Sequence, residues 1–190
     1  QYGYDAAGRM TSETTPNNQT LNYSYDAAGN MLSMTDSRAK TTTWLYDVEG
    51  RLVGKRYEGQ SFDAVQYTYD PSGHVVSRIF RKDGSTGETT TYSYDDVGNV
   101  LSVAYSDGTS AVTYGYDALH RLVTMSDGSG TTSFSFNVSG LLSAEQSPWT
   151  SSTVSYTYNN AMLRSQLVLQ QPAGSWTYNY GYNNSGRLTS

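Results

Sequence analysis

The sequence predicts an all-β protein made of tandem two-stranded repeats, joined into a long antiparallel sheet that has to curl. Three observations carry this: an excess of tyrosine, a short aromatic motif that recurs at nearly constant spacing, and turn residues at fixed places after it. The chain has 190 residues, with 18 Tyr, 18 Gly and no Cys. Leu, Ile, Val and Phe make up only 31 of the 190, below the about 20% at which strongly charged chains stay disordered. The net charge, however, is only −5. A core therefore has to be built on tyrosine rings, each a large apolar surface with a hydroxyl that needs a partner.

The first element of each repeat is an aromatic-x-aromatic strand ending in Asp or Asn. It appears as Tyr2-Gly3-Tyr4-Asp5, Tyr23-Ser24-Tyr25-Asp26, Trp44-Leu45-Tyr46-Asp47, Tyr67-Thr68-Tyr69-Asp70 and Tyr92-Ser93-Tyr94-Asp95. It continues as Tyr114-Gly115-Tyr116-Asp117, Phe134-Ser135-Phe136-Asn137, Tyr156-Thr157-Tyr158-Asn159 and Tyr180-Gly181-Tyr182-Asn183. Successive motifs lie 20 to 25 residues apart, about 22 on average, a period typical of stacked repeats. Fifteen of the 18 Tyr fall in the two aromatic slots, leaving Tyr57, Tyr105 and Tyr178 outside. Side chains alternate along a strand, so both rings of a motif share one face. The second-slot residues Tyr4, Tyr25, Tyr46, Tyr69, Tyr94, Tyr116, Phe136, Tyr158 and Tyr182 are expected to stack in register as an aromatic ladder.

The second element is a turn. Gly stands three residues after the Asp or Asn in seven of nine repeats, as Gly8, Gly29, Gly50, Gly73, Gly98, Gly140 and Gly186. Asp or Asn at the first turn position accepts a hydrogen bond from its own backbone, and Gly at the fourth supplies a left-handed residue. Together they predict a hairpin loop closed by a glycine bulge. The turn series is Asp5, Asp26, Asp47, Asp70, Asp95, Asp117, Asn137 and Asn183 with those glycines. His120 and Met162 replace the Gly; histidine tolerates positive φ better than methionine, which makes the eighth repeat, around Met162, the least regular one expected.

The third element is a returning strand, as in Arg9-Met10, Asn30-Met31, Arg51-Leu52, Asn99-Val100 and Arg187-Leu188. It runs toward a second turn, signalled by Asp83-Gly84, Asp107-Gly108 and Asp127-Gly128. Nine repeats of two strands give roughly 18 strands spanning about 85 Å at ~4.8 Å each. Open sheets rarely exceed about ten strands without curling, so residues 1–190 read as one array rolled around a volume. The chain opens and closes within the pattern, and it reads as a piece of a longer polypeptide.

The unit Tyr-x-Tyr-Asp-x-x-Gly-Arg-Leu, matched at Tyr2 to Arg9 with Met10 for the final Leu and again near Tyr182 to Leu188 with Asn183 for the Asp, resembles the YD or RHS repeat. That family comprises the rearrangement-hotspot and wall-associated polymorphic toxins, the shell components of Tc toxins, and the teneurins. The resemblance covers essentially the whole chain. It implies a section of a spiral β shell that encloses a toxin or forms a scaffold at the cell surface, in an extracellular protein. The Pro- and Asp-rich core segment that carries autoproteolytic aspartates in that family has no counterpart here, so no proteolytic residue is carried over.

Other classes find little support. Charged residues at 15% and a net charge of −5 give no electrostatic footprint for nucleic acid. No apolar run reaches the roughly 18 residues of a membrane helix. The Asp ladder is explained by turn capping rather than by calcium, and no cofactor or metal is expected. The two histidines, His74 and His120, sit in turn slots, and no carboxylate pair or Ser-His-Asp arrangement stands out, which argues against an enzyme. Trp44 fills an aromatic slot, whereas Trp149 and Trp176 follow turn signals and are the candidates for stacking on a surface glycan. Sequons at Asn18, Asn22, Asn137 and Asn183 carry little weight in so Asn-rich a repeat. An uncapped repeat array also exposes β edges. The expected partners are thus neighbouring repeats or further copies, with the strand near Leu188 pairing to Tyr2 and Tyr4 of the next copy.

Overall fold

In the computed structural model the described residues are 1–190 without Asp83, Ser85 and Ser190, so the Asp83-Gly84 turn signal lies partly outside them. The protein is all-β, with 17 strands in one antiparallel sheet and no helix among the described residues. It divides into two compact units, Gln1–Tyr92 with Tyr105–Gly108, and Ser93–Ala104 with Thr109–Ser190.

In the first unit the strands are β1 (Tyr2–Tyr4), β2 (Met10–Thr14), β3 (Thr20–Tyr25), β4 (Met31–Thr35), β5 (Thr41–Tyr46), β6 (Leu52–Tyr57), β7 (Val65–Tyr69), β8 (Val75–Phe80) and the body of β9 (Glu88–Tyr94). Each pairs with the next in sequence. The second unit repeats the arrangement with β10 (Val100–Tyr105), β11 (Val112–Tyr116), β12 (Leu122–Asp127), β13 (Gly130–Phe136), β14 (Leu142–Gln146), β15 (Thr153–Tyr158), β16 (Arg164–Gln171) and β17 (Gly174–Asn179). The expected eighteenth strand is reduced to a single bridge between Tyr182 and Leu188.

All nine motif turns have one geometry. The Asp or Asn amide donates to the carbonyl four residues on, at 2.9–3.0 Å, from Asp5→Arg9 through Asn183→Arg187. The residue in the glycine slot donates back to the Asp or Asn carbonyl at 2.9–3.2 Å. That slot has positive φ in every repeat, from 59° at His120 to 93° at Gly29. Met162, at φ 61°, makes the same two hydrogen bonds as the glycines. The eighth repeat is therefore no less regular than the rest, because two backbone hydrogen bonds outweigh the local strain of one side chain. Gly98→Val is expected to destabilise by about 1–3 kcal/mol at φ 91° through that strain. Met162→Gly is expected to gain about 1 kcal/mol by relieving it. Thermal melts of the two variants should move in opposite directions.

Register shifts by one residue just before the second aromatic of the motif, at Gly3/Tyr4, Ser24/Tyr25, Leu45/Tyr46, Thr68/Tyr69, Gly115/Tyr116, Ser135/Phe136 and Thr157/Tyr158. Such bulges increase the local twist of each hairpin. From the second repeat on, the motif rings are half-buried and the residue between them is more exposed in most repeats. The tyrosine-built core is thus only a half-covered face; the buried hydrophobic side chains among the described residues are Ala64 and Val65, at 1% and 8% exposure.

Candidate functional site

The feature that recurs with chemical detail is a clasp between successive hairpins. In the first repeat Asp5 Oδ1 accepts from the backbone amides of Ala7 and Arg9, each at 2.9 Å, and Oδ2 accepts from Arg9 Nε at 2.7 Å. The guanidinium then reaches the next repeat. Arg9 Nη1 donates to the Asp26 carbonyl at 2.8 Å, and Arg9 Cζ lies 5.0 Å from the Tyr25 ring centre. Tyr25 returns the contact, its hydroxyl donating to the Met10 carbonyl at 2.7 Å.

The hydroxyl bond recurs from Tyr46 to Met31, Tyr69 to Leu52, Tyr116 to Val100, Tyr158 to Leu142 and Tyr182 to Arg164, at 2.7–3.0 Å. Arg51 covers Tyr69 at 4.7 Å and Arg121 covers Phe136 at 4.3 Å, distances at which a cation is attracted to a ring face. Where Arg is absent, the same position still serves the carboxylate: Asn30 and Asn99 donate Nδ2–H to Asp26 and Asp95, and His74 Nδ1 lies 3.0 Å from Asp70. These contacts hold the carboxyls below their ordinary range. For Asp5 the cause is first the backbone N–H and then the side chain of Arg9, for Asp26 the Asn30 amide, and for Asp117 the Arg121 guanidinium. Burial pushes the Tyr46, Tyr69 and Tyr116 hydroxyls upward. Tyr156, in a first aromatic slot, goes up to about 12 through burial and its hydrogen bond to Glu145.

This partner, four residues after the Asp, has no role in the sequence pattern beyond opening the returning strand. The turn residues Asp5, Asp26, Asp47, Asp70, Asp95, Asp117, Asn137 and Asn183 all sit in the turn geometry described above. The second-slot rings share one place in successive hairpins, with Tyr2 and Tyr4 exposed on β1. Trp149 stands in the Ser147–Ser152 turn at 65% exposure, and Trp176 lies on β17 opposite Leu169 at 43%. Among the described residues no three His, Asp or Glu side chains gather as a metal site would need.

Tyr69→Phe keeps the ring under Arg51 and removes only the donor to Leu52. It should destabilise by about 1 kcal/mol, the net worth of one hydrogen bond. Phe136→Tyr, which supplies a hydroxyl where the ladder lacks one, should shift the urea midpoint the other way.

The Teneurin YD-shell family model matches residues 1–136. The chain belongs to the Teneurin YD-shell family. No curated protein matches it by sequence. Among solved structures, this YD-shell chain is similar to a TcdB2-TccC3-Cdc42 crystal structure with a TM-score of 0.77 at 17% identity, covering 98% of this chain and 12% of that one. A TcdB2-TccC3 structure without its hypervariable C-terminal region gives 0.77 at 17%, with the same coverage. The Photorhabdus luminescens Tc holotoxin pore gives 0.73 at 19%, covering 90% of this chain and 10% of that one. At these identities the likeness is one of fold. The chain spans only about a tenth of the length of those proteins.

Proposed function

We propose that this chain is a non-catalytic length of YD shell in a secreted or cell-surface protein, walling off a cargo or holding a display scaffold. The observation that supports it most is the clasp: carboxylate, guanidinium, ring and backbone carbonyl are spent on joining one hairpin to the next, a use of polar side chains that serves a wall. The family match and the Tc toxin folds support the same reading, and a toxin segment is the cargo it suggests. Self-association through β edges belongs with this reading. The test is protease protection in the full-length parent: a segment protected in the intact protein and digested once the repeats are opened supports an enclosing shell, and a segment digested at once contradicts it.

A second reading, a glycan- or surface-binding adhesion module, is favoured by the exposure of Trp149. Saturable binding on a glycan array that is lost in Trp149→Ala would support it over the wall.

A further inference from the structure

At the motif turns the gap between successive repeats is crossed by Arg9, Arg51 and Arg121, which cover the ring of the next repeat. The turns at the opposite ends of the hairpins, between β2 and β3 and between β4 and β5, have the same backbone geometry. The Thr15 and Asp36 amides donate to the carbonyls of Gln19 and Lys40, each at 2.9 Å, and Asn18 and Ala39 take the positive φ of the glycine slot. Asp36 Oδ1 accepts from the amides of Arg38 and Lys40, as Asp5 does from Ala7 and Arg9. The arginine, however, stands two residues after the Asp rather than four. Arg38 folds back on its own turn, giving Nε and Nη2 to Asp36 Oδ2 at 2.9 and 2.6 Å, and its side chain is 81% exposed.

The gaps on either side of this turn stay open, as two cavities of about 340 and 350 Å³, the size of small-molecule sites. One lies toward Thr15, Gln19 and Leu21, the other toward Lys40, Tyr57 and Glu58, and Asp36 and Arg38 line both. Met34, Thr42 and Tyr57 are cross-strand partners, so the second cavity has one face of the sheet as its floor. Its polar groups are largely unspent: Arg38 Nη1, the Lys40 ammonium and the Tyr57 hydroxyl have no hydrogen-bond or ion-pair partner among the described residues. Glu58 uses one oxygen, Oε2, on the Thr41 amide at 3.2 Å. Tyr57, outside the two aromatic slots, is 41% exposed, with Lys55 Nζ 4.9 Å from its ring centre.

We propose that the two cavities are adjoining subsites for an acidic saccharide, a short chain of sugar rings that carry carboxylates. A carboxylate takes the free donors of Arg38 and Lys40 as charge-assisted hydrogen bonds. The sugar ring lies against Tyr57, whose hydroxyl and the unused oxygen of Glu58 meet the sugar hydroxyls. The next sugar passes the Arg38 turn into the cavity at Thr15 and Gln19. A small inorganic anion would pair the cations and leave the ring and the cavities empty, whereas a neutral sugar would fill the cavities and leave both cations unpaired. The site is apart from Trp149 and does not rest on the shell reading.

The experiment is titration calorimetry of the protein with digalacturonate, set against lactose, acetate and triglutamate. Digalacturonate is expected to bind saturably and about tenfold or more tighter than each of the other three, which lack the charge, the ring or the sugar hydroxyls. Lys40→Met and Arg38→Met should each weaken it about tenfold, the worth of one charge-assisted hydrogen bond. Both side chains are exposed, and an unchanged far-UV circular dichroism spectrum checks that the variants fold. No saturable binding of digalacturonate overturns the proposal, as does equal affinity for any of the other probes; tight binding of triglutamate would make the groove a site for acidic peptide instead. Binding that either variant leaves unchanged, or that is lost only in Trp149→Ala, overturns it as well. None of these results bears on the shell reading, which the protease-protection assay decides.

Discussion

Gly130→Val should be among the most damaging single substitutions in the chain, costing about 2–6 kcal/mol, because strain and overpacking each contribute about 1–3 kcal/mol at one position. Gly130 opens β13 opposite Asp127, with φ 128°, a conformation L side chains rarely adopt. A Cβ there would lie 2.5 Å from Pro148 Cβ and 3.4 Å from its Cγ. Pro148 cannot swing aside, since its ring is tied to the backbone of the Ser147–Ser152 turn, which is closed by hydrogen bonds from Ser147 to Ser152 and from Ser152 to Trp149. Gly108 is the control. It has φ 88° but nothing within 4 Å of its virtual Cβ, so Gly108→Val carries the strain without the clash. Urea midpoints should fall for both, and clearly further for Gly130→Val; equal shifts would mean that the proline contact relaxes at no cost.

The same hairpin shows what the sequence could and could not specify. Asp127-Gly128 marked a tight turn there, and β12 and β13 do meet across it. The residue with positive φ is nevertheless Gly130, because Asp127 pairs with Gly130 and leaves Gly128 and Ser129 at the tip. Local chemistry fixed the place of the turn, and strand register fixed which glycine bends. The motif turns were legible for the opposite reason: Asp, its amides and the following Gly lie within five residues, so the whole structure is written locally.

The clasp was not legible by that route, since each tyrosine hydroxyl meets a carbonyl 15 to 18 residues earlier. Its trace was present in the repeats all the same. Asp is always followed four residues later by Arg, Asn or His, whereas Asn137 and Asn159 are followed by Leu141 and Leu163. A carboxylate needs a donor beyond the backbone, and a neutral amide does not. Asn183 with Arg187 breaks the rule. The buried pair Ala64 and Val65 was beyond reach, because it depends on an irregular loop in which Asp63 is held by Arg56 at 2.8 Å and by Gln66 at 3.2 Å; the only sequence sign was a wider spacing of 23 and 25 residues on either side of Asp70.

Acid should unfold this protein cooperatively over a narrow range below the ordinary carboxylate value of 3.8, which Asp5, Asp26, Asp36, Asp47, Asp70, Asp95, Asp117 and Asp127 all lie beneath in the folded state. A carboxyl that binds its proton less tightly when folded makes unfolding take up protons at low pH. Its stabilisation is therefore complete above the unfolded value and drains away as pH falls through the lowered folded one. Seven of these carboxyls are half-buried and Asp127 is exposed; each contributes little alone, but eight titrate in the same direction, and protonation removes the acceptor on which the Arg9, Arg51 and Arg121 clasps are anchored. The melting temperature should be nearly level from pH 8 to 5 and drop steeply below about pH 4. The repeats supply their own control, because the last three turns carry Asn137, Asn159 and Asn183 and have no carboxyl to protonate. Asp26→Asn with Asp117→Asn should flatten the acid limb and lower stability at neutral pH, bringing the two ends of the profile together. A melting temperature that stays level down to pH 2 would show that the turns hold through backbone hydrogen bonds alone.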